Sequence, residues 1–201
     1  MGMSAAALHT LLALCVVAAG ASVARAQMRA KPRRPLEGQR GKDIPWVPTP
    51  PALVEKMLDM ARVTPQDYVI DLGSGDGRTV IAAARRGARA LGVEFDAALI
   101  EMSRTAADKA GVAELAEFVQ GDLYEADISQ ANVLILFLMP DNLRELTPRF
   151  LALKPGSRIV TNRFVIEGWD ADERVRLDGD SDFCCTAYLY TIGDGSVSER
   201  A

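Results

Sequence analysis

The chain has 201 residues, of which 49% are hydrophobic and 25% are charged, and this length and composition predict one α/β domain with a full apolar core. Residues 43–201 contain 16 Lys and Arg against 26 Asp and Glu, a formal charge of −10. Because nucleic-acid binding needs clustered basic residues, so acidic a domain argues against a nucleic acid as the substrate.

The N-terminal segment, residues 1–26, is predicted to be a signal peptide or a membrane anchor. Residues 5–23 are almost wholly apolar or small, and Ala24-Arg25-Ala26 has the small-x-small form of a signal peptidase site. No Lys or Arg precedes the apolar run, so an uncleaved anchor stays open as an alternative. Translation from Met28 is a third possibility. We expect an exported (periplasmic) or membrane-anchored protein, or a cytoplasmic one if synthesis begins at Met28.

Residues 27–44 are predicted to form a basic linker that contains prolines. Between residues 27 and 42, six Lys and Arg stand against the single acid Glu37, with Pro32 and Pro35 and no apolar periodicity. A basic segment of this kind can lie against anionic lipid head groups. Residues 1–42 are therefore candidates for membrane contact, and residues 45–201 are predicted to be the folded domain.

The residue types needed for several kinds of chemistry are scarce in this domain. The one histidine, His9, lies in the leader together with Cys15, and the remaining cysteines are the adjacent pair Cys184 and Cys185. The domain therefore has no histidine for a Ser-His-Asp or Cys-His site, and none to bind a metal ion. Adjacent cysteines do not form an ordinary disulfide framework. We expect no metal and interpret the pair as small residues of a core strand, with a strained vicinal disulfide as the alternative.

The domain begins with a predicted helix, a strand and a glycine-rich turn. Thr49 is a plausible N-cap with Pro50 at the first helical position, followed by an apolar stripe of helical spacing. A buried strand over residues 68–72 then leads into Gly73-Ser74-Gly75-Asp76-Gly77, and the next helix is predicted over residues 78–86. Glycines let backbone N–H groups approach a bound molecule, and the helix adds its positive dipole end. The turn is therefore predicted to bind a ligand.

A second short strand, predicted over residues 90–94, ends on Glu94, seventeen residues after Gly77. A carboxylate at that position can bind a ribose diol. Dinucleotide-binding folds share this general pattern, but their fingerprint is GxGxxG and needs no acid ahead of it. This chain has GxGxG preceded by Asp71, which indicates a different cofactor.

The rest of the chain alternates strands and helices, which predicts a parallel sheet with helices on both faces. Asp96 is predicted to cap a helix that ends at Gly111. Further strands are predicted over residues 118–120, 132–137, 157–162, 174–177 and 184–192. The last two are close in sequence and are therefore expected to be antiparallel.

The segment from Asp71 to Arg78, with Glu94 after it, resembles motif I of the class I methyltransferases that use S-adenosylmethionine. Together with motif I, four other segments are similar to the mitochondrial protein-lysine methyltransferases that modify the ATP synthase c-subunit and the adenine nucleotide translocase, and more distantly to the non-SET histone lysine methyltransferase. These segments are residues 45–50, Ser103-Arg104, Gly121-Asp122-Leu123 and residues 156–164. The resemblance spans roughly residues 45–170.

This resemblance implies a doubly wound, seven-stranded, Rossmann-like sheet with an antiparallel C-terminal strand. It also implies S-adenosylmethionine as the cofactor, with the acid and the glycine loop around its methionine part, Glu94 on the ribose, Asp122 on the adenine amino group and the backbone amide of Leu123 near the ring. The residues that the resemblance assigns to the methionine part are Asp71, Gly73, Ser74, Gly75 and Gly77. For Asp122, ordinary turn chemistry after a glycine remains the alternative.

The acceptor side departs from many amino-methylating relatives, because residues 137–142 lack the Asn/Asp-Pro-Pro-aromatic motif. We expect the backbone carbonyls of Met139 and Pro140, with the side chains of Asn142 and Thr49, to orient the acceptor amine. Asn142 could instead lie in the first turn of a helix capped by Asp141. Trp46 could cover the cofactor, line an acceptor channel or fill space under a loop.

The predicted function is methyl transfer to a lysine amine of a protein, and a membrane-associated protein is one candidate acceptor. A small-molecule methyltransferase would share every cofactor residue, and a non-catalytic cofactor binder is a further alternative. The chain has few insertions after its strands and so little material for a lid over a small substrate. That favours an open cleft that receives a macromolecule.

Overall fold

The structure, a computed structural model, describes residues 47–177 and 186–193. Its helices are α1 (Pro51–Met60), α2 (Arg78–Arg85), α3 (Ala97–Ala110) and α4 (Pro140–Leu151). Its strands are β1 (Tyr68–Leu72), β2 (Arg89–Glu94), β3 (Ala116–Gln120), β4 (Val133–Leu136), β5 (Arg158–Asn162), β6 (Glu173–Arg176) and β7 (Thr186–Thr191). The leader, the linker, Trp46, Cys184 and Cys185 lie outside the described residues.

The strands form one seven-stranded sheet in the order β3-β2-β1-β4-β5-β7-β6. Strands β1 to β5 are parallel, whereas β7 runs antiparallel to both β5 and β6. The predicted α/β sheet with an antiparallel C-terminal strand is thereby confirmed. Strand order reverses between β1 and β4, and in such sheets ligands bind beyond the carboxyl ends of the strands at that reversal.

Two apolar layers cover the sheet, one on each face. Successive side chains of a strand point to opposite faces, so neighbouring residues of β4 enter different layers. Val133 and Ile135 pack with α1, α2 and α3, while Leu134 and Leu136 pack with α4. Because β4 is fully buried on both sides, it reads in the sequence as a continuous apolar run.

Two helices begin at positions that differ from the caps considered from the sequence, by one residue for α1 and by two residues for α4. The N-cap of α1 is Pro50, with φ −55° and ψ 139°, and not Thr49. The N-cap of α4 is Met139, with φ −69° and ψ 157°, and not Asp141. Each true cap precedes a proline, and the proline ring disfavours helical backbone in the residue before it. The helix therefore starts at the proline itself in both cases.

The third helix begins and ends where the sequence predicts. Asp96 caps α3 by accepting a hydrogen bond from the backbone N–H of Ala98 at 2.7 Å, and Gly111 ends it with φ +69°. Strand β3 begins two residues earlier than predicted, because Ala116 pairs with Ala90 of β2. Among the described residues, none of the helices has the length and hydropathy to cross a membrane.

Candidate functional site

The glycine-rich turn after β1 has the backbone geometry that its sequence predicts. Gly73, Gly75 and Gly77 all have positive φ, at +77°, +57° and +77°. A Cβ added at Gly77 would lie 2.6 Å from Cε1 of Phe118 and 2.7 Å from Cβ of Ser103. Only glycine therefore lets the turn close over β3 and α3 before α2 begins.

Glu94 connects this turn to the start of α3. Its Oε2 accepts a hydrogen bond from the backbone N–H of Gly75, and its Oε1 accepts one from that of Asp96, both at 2.9 Å. The carboxylate is thus fixed at the carboxyl end of β2. Each oxygen keeps a second lone pair, so the two together can still accept hydrogen bonds from adjacent hydroxyls of a ligand.

Asp71 lies inside β1 and is 6% exposed. Burial raises the pKa of its carboxyl to about 7, and the nearby charges of Glu94 and Asp76 add to the increase, while a hydrogen bond with Thr79 opposes it. A cationic group bound beside Asp71 would favour the ionised form and lower this pKa. The site can therefore compensate a ligand ammonium.

Ser74 contributes its backbone to the turn, while its side chain points beneath it. A Cβ built on Gly92 would lie 2.6 Å from Oγ of Ser74, so the hydroxyl packs against β2. Within the part of the chain that the structure describes, this buried hydroxyl has no hydrogen-bond partner. A ligand above the turn would meet the backbone of Ser74.

Asp122 and Leu123 follow β3 at the same edge of the sheet. Gly121 donates from its backbone N–H to the carbonyl of Glu94 at 3.0 Å, which places this loop beside the end of β2. Oδ1 of Asp122 accepts a hydrogen bond from the backbone N–H of Tyr124 at 2.9 Å. Asp122 therefore stabilises the turn after Gly121, as its alternative role predicts. Its carboxylate can still accept further hydrogen bonds from a ligand.

Asn142 lies in the first turn of α4 and is 9% exposed. Its Nδ2 donates to the hydroxyl of Tyr124 at 2.5 Å, which ties α4 to the loop after β3. Asn142 therefore occupies the first turn of a helix, which is the alternative given for it above, although the residue that caps the helix is Met139 and not Asp141. Pro140 is exposed at the first position of α4, and Met139 is 44% exposed beside it.

Thr49 is the predicted acceptor-side residue that makes contacts across the site. Arg78, which pairs with Asp76 of the glycine turn at 2.6 Å, donates from Nη1 to the backbone carbonyl of Thr49 at 2.8 Å. The hydroxyl of Thr49 accepts a hydrogen bond from Nδ2 of Asn162, at the carboxyl end of β5, at 3.2 Å. The segment before α1 therefore joins the glycine turn to β5.

The sequence prediction did not single out Arg78 or Asn162 as site residues. Arg78 stands at the first position of α2, directly after the glycine turn. For Asn162, the signal in the sequence is a polar residue at the carboxyl end of a predicted strand, the edge of the sheet where the other site residues lie. Their contacts with Thr49 became visible only in the folded chain.

The arrangement fits S-adenosylmethionine. A buried carboxyl can compensate its ammonium, Glu94 can accept from its ribose hydroxyls, and the positive-φ glycines leave the backbone of the turn open to a ligand. Among the described residues, no group of three or more His, Cys, Asp or Glu is arranged to bind a metal ion. The candidate site is thus a cofactor cleft with an acceptor side formed by β4, β5 and the segment before α1.

Comparison with known proteins agrees with this interpretation of the cleft. A family model described as the ANTKMT methyltransferase domain matches residues 71–173. A protein-lysine N-methyltransferase from Saccharolobus islandicus (strain REY15A) is 40% identical over 154 residues, which are 75% of this chain and 95% of that protein. The lysine N-methyltransferase of the ATP synthase c-subunit from Mus musculus is 35% identical over 130 residues, which are 64% of this chain and 52% of that protein.

Solved structures are also similar to this chain, and one of them is the crystal structure of an RNA methyltransferase from Salinibacter ruber in complex with S-adenosyl-L-homocysteine. It is 47% identical to this chain, covers 74% of this chain and 95% of its own, and superimposes with a TM-score of 0.69. The names of these relatives thus include both protein and RNA as methyl acceptors.

Proposed function

We propose that this chain, which belongs to the ANTKMT methyltransferase family and is an S-adenosylmethionine-dependent methyltransferase, transfers methyl groups to the side-chain amine of a protein lysine. The observation that carries the proposal is the relative named a protein-lysine N-methyltransferase, of which this chain covers 95% at 40% identity. The relatives in Mus musculus are named for the c-subunit of ATP synthase and for the adenine nucleotide translocase. The labelling experiment described below asks whether either kind of protein is methylated by this chain.

The roles of the cofactor residues are those that the resemblance to class I methyltransferases implies, and the chemistry and position of the residues support them. Asp71 would face the methionine ammonium, with the backbone of residues 73–77 around the methionine part. Glu94 would accept from the ribose hydroxyls, Asp122 from the adenine amino group, and the Leu123 amide would lie near the ring. Bound S-adenosylmethionine supplies a methyl group on a positively charged sulfur, and the leaving group departs neutral.

The protein's contribution to such a reaction is mainly to position the acceptor and to keep it uncharged. Aligned reactants gain much of their rate from orientation alone. A lysine amine has an ordinary pKa of about 10.4 and must lose its proton before it can attack. Burial beside uncharged groups lowers that pKa, because it disfavours the ammonium form. With no histidine in the domain, the proton would leave through water or a carboxylate.

Charge favours protein over RNA as the acceptor. The formal charge of −10 for residues 43–201 would repel RNA phosphates, whereas it attracts a segment that carries lysine. The loop after β3 adds Asp122 beside the end of β2, where Glu94 lies. Methylation of RNA in place of protein would therefore contradict the proposal.

The proposal is tested by incubating residues 27–201 with radiolabelled S-adenosylmethionine and with membrane, soluble-protein, RNA and small-molecule fractions. We expect label in protein, and mass spectrometry should find the added methyl groups on lysine. Asp71→Ala should abolish the labelling, whereas Asp108→Asn, an exposed residue of α3, should leave it unchanged. Label confined to RNA, or to small organic-soluble molecules, would replace lysine as the acceptor.

A further inference from the structure

We propose that Asn162 and Thr49 form the acceptor end of the active site, where Oδ1 of Asn162 and Oγ1 of Thr49 accept hydrogen bonds from the two N–H groups of the incoming lysine amine. The inference rests on the proposed lysine acceptor and adds the residues that would orient it. Its starting point is a buried oxygen of Asn162 without a partner.

Asn162 is fully buried, with 0% of its surface exposed. Its Nδ2 donates to Oγ1 of Thr49 at 3.2 Å, but within residues 47–177 and 186–193 its Oδ1 has no hydrogen-bond partner. Leaving a buried acceptor unpaired costs about 1 to 3 kcal/mol. Because nearly all buried polar groups in folded proteins are paired, an unpaired one requires an explanation, and a donor supplied by a ligand is one.

The position of Asn162 favours that explanation. It is the last residue of β5, so its amide lies at the edge of the sheet where the glycine turn and Glu94 also lie. Its partner Thr49 is bound through the backbone carbonyl to Arg78, which pairs with Asp76 of the turn. Strand β5 is two strands away from β1, a distance of about 10 Å. That spacing leaves room for an acceptor beside a cofactor held on the turn.

A neutral lysine amine has one lone pair and two N–H groups. During methyl transfer its lone pair forms the new N–C bond while the methyl C–S bond breaks, and the electron pair of that bond goes to sulfur. The methylated ammonium then releases one proton to water. The two N–H groups point away from the methyl carbon and need acceptors in a buried site. Asn162 and Thr49 supply two oxygens close together.

Both oxygens are uncharged, which suits this reaction. A carboxylate behind the amine would stabilise the ammonium form, whose lone pair is occupied by a proton. An amide oxygen and a hydroxyl oxygen accept hydrogen bonds from the neutral amine without that charge effect. The pair would therefore orient the amine in the protonation state that reacts.

The arrangement makes a prediction about successive methylations. Each transfer replaces one N–H of the amine with a methyl group, so the unmethylated lysine has two donors, monomethyl-lysine one and dimethyl-lysine none. Loss of the two acceptor oxygens should slow the first transfer most and leave the third transfer unaffected. A role in folding alone would affect all three transfers equally.

The test uses peptides that carry the lysine identified in the labelling experiment, made unmethylated, monomethylated or dimethylated. Asn162→Leu removes the amide with little change in volume, and Thr49→Val removes the hydroxyl. Each should lower kcat/KM on the unmethylated peptide by roughly 10-fold, the value of one hydrogen bond, and leave the dimethylated peptide unchanged. Thr49→Ser should restore activity on the unmethylated peptide. Calorimetric affinity for S-adenosylmethionine should be the same in all variants.

Thr161→Val is the matched control. Thr161 is the neighbouring residue of β5 and is 1% exposed, but its hydroxyl is paired with the carbonyl of Phe164 at 2.7 Å. It should lower thermal stability without changing the relative rates on the three peptides. If Asn162→Leu does not fold, Thr49→Val and Thr49→Ser decide alone.

Two results would overturn the inference. Equal loss, or no loss, on all three peptides would mean that Asn162 and Thr49 do not touch the amine, and the lysine function would still stand because the wild type methylates. Absence of lysine methylation by the wild type would reject the proposed function and this inference with it.

Discussion

At the scale of single residues, Asp71 couples the protonation of the site to its ligand. Its pKa is about 7 in the cofactor-free protein, mainly because of burial, so at pH 6 the carboxyl is largely protonated. A bound ammonium requires the ionised form. Cofactor affinity should therefore rise about 5-fold between pH 6 and pH 7, about 10-fold between pH 6 and pH 8, and level off above about pH 8. Calorimetry across this range measures the affinity for S-adenosylmethionine, and Asp71→Asn, which cannot ionise, should show no pH dependence. A wild-type affinity that does not change with pH would contradict the prediction.

The same group sets a pH dependence of stability. In the folded protein the pKa of the Asp71 carboxyl lies above its ordinary value of 3.8, because the buried site favours the protonated form. The contribution of this carboxyl to the free energy of unfolding is therefore complete below pH 3.8 and is lost as the pH rises through about 7. The full difference corresponds to on the order of 4 kcal/mol of unfolding free energy. Urea unfolding of the cofactor-free protein between pH 4 and pH 8 should show this slope, and Asp71→Asn should remove it.

Glu94 is predicted to bind the ribose of the cofactor. Glu94→Ala should lose about 1.5 to 3 kcal/mol of S-adenosylmethionine binding, because its hydrogen bonds to the hydroxyls are charge-assisted. The substitution also removes the acceptors of Gly75 and Asp96, so its fold must be checked by circular dichroism. Glu117→Ala, an exposed residue of β3, is the control. Unchanged calorimetric affinity in a folded Glu94→Ala protein would refute the assignment.

At the scale of elements, the junction between the glycine turn and α2 depends on Gly77. In Gly77→Ala the positive φ should cost about 1 to 2 kcal/mol of folding stability. The collision of the added methyl group with Phe118 and Ser103 should cost about 1 to 3 kcal/mol more. Gly111 has a similar φ of +69° at the end of α3, with no atom within 4 Å of an added Cβ. Gly111→Ala should therefore show the φ cost alone.

Chemical unfolding of the two alanine variants separates the contributions. We expect Gly77→Ala to be the less stable by about 1 to 3 kcal/mol and to bind the cofactor more weakly, since the turn must shift. Equal destabilisation of both variants would mean that the turn accommodates a methyl group at Gly77. In that case Phe118→Leu, which changes the side chain that the added methyl group meets, should not restore the stability of the Gly77→Ala protein.

The elements were largely predictable because their signals are local. Periodic apolar residues defined α1, a continuous apolar run defined β4, and Asp96 with Gly111 defined both ends of α3. The starts of α1 and α4 differ from the prediction because Thr49 and Asp141 carry typical capping side chains, whereas Pro50 and Met139 each precede a proline, which disfavours helical backbone in the residue before it. Both starts thus follow from local sequence, through the proline and not through the capping side chain.

The site was predictable only in part, because some of its contacts join distant residues. Asp71, Glu94 and the glycines stand in one motif with fixed spacing, so the cofactor edge could be read from the sequence. Asn162 and Thr49 are 113 residues apart, and no periodicity connects them. Asn142 was expected at the acceptor, but its amide bonds to Tyr124 of another loop.

At the scale of the whole molecule, residues 1–26 remain predicted to direct export or membrane attachment. Fractionation of cells should then find little full-length protein free in the cytoplasm, and N-terminal sequencing should show either Gln27 or an uncleaved leader. A soluble cytoplasmic product that begins at Met28 would contradict this prediction. It would also place the enzyme where S-adenosylmethionine is made.

The position of β7 in the sheet has a consequence for how the chain folds as it is synthesised. Strand β7 follows β6 in the chain but lies between β5 and β6, so β6 cannot join the sheet until β7 has emerged. Strands β1 to β5 pair with one another, and none of the pairs among them involves β6 or β7. Synthesis proceeds from the N-terminus, so β1 to β5 leave the ribosome before β7 does. We expect a nascent chain to be able to form its cofactor turn while β6 is still unpaired, because β7 is the neighbour of β6 among the described strands.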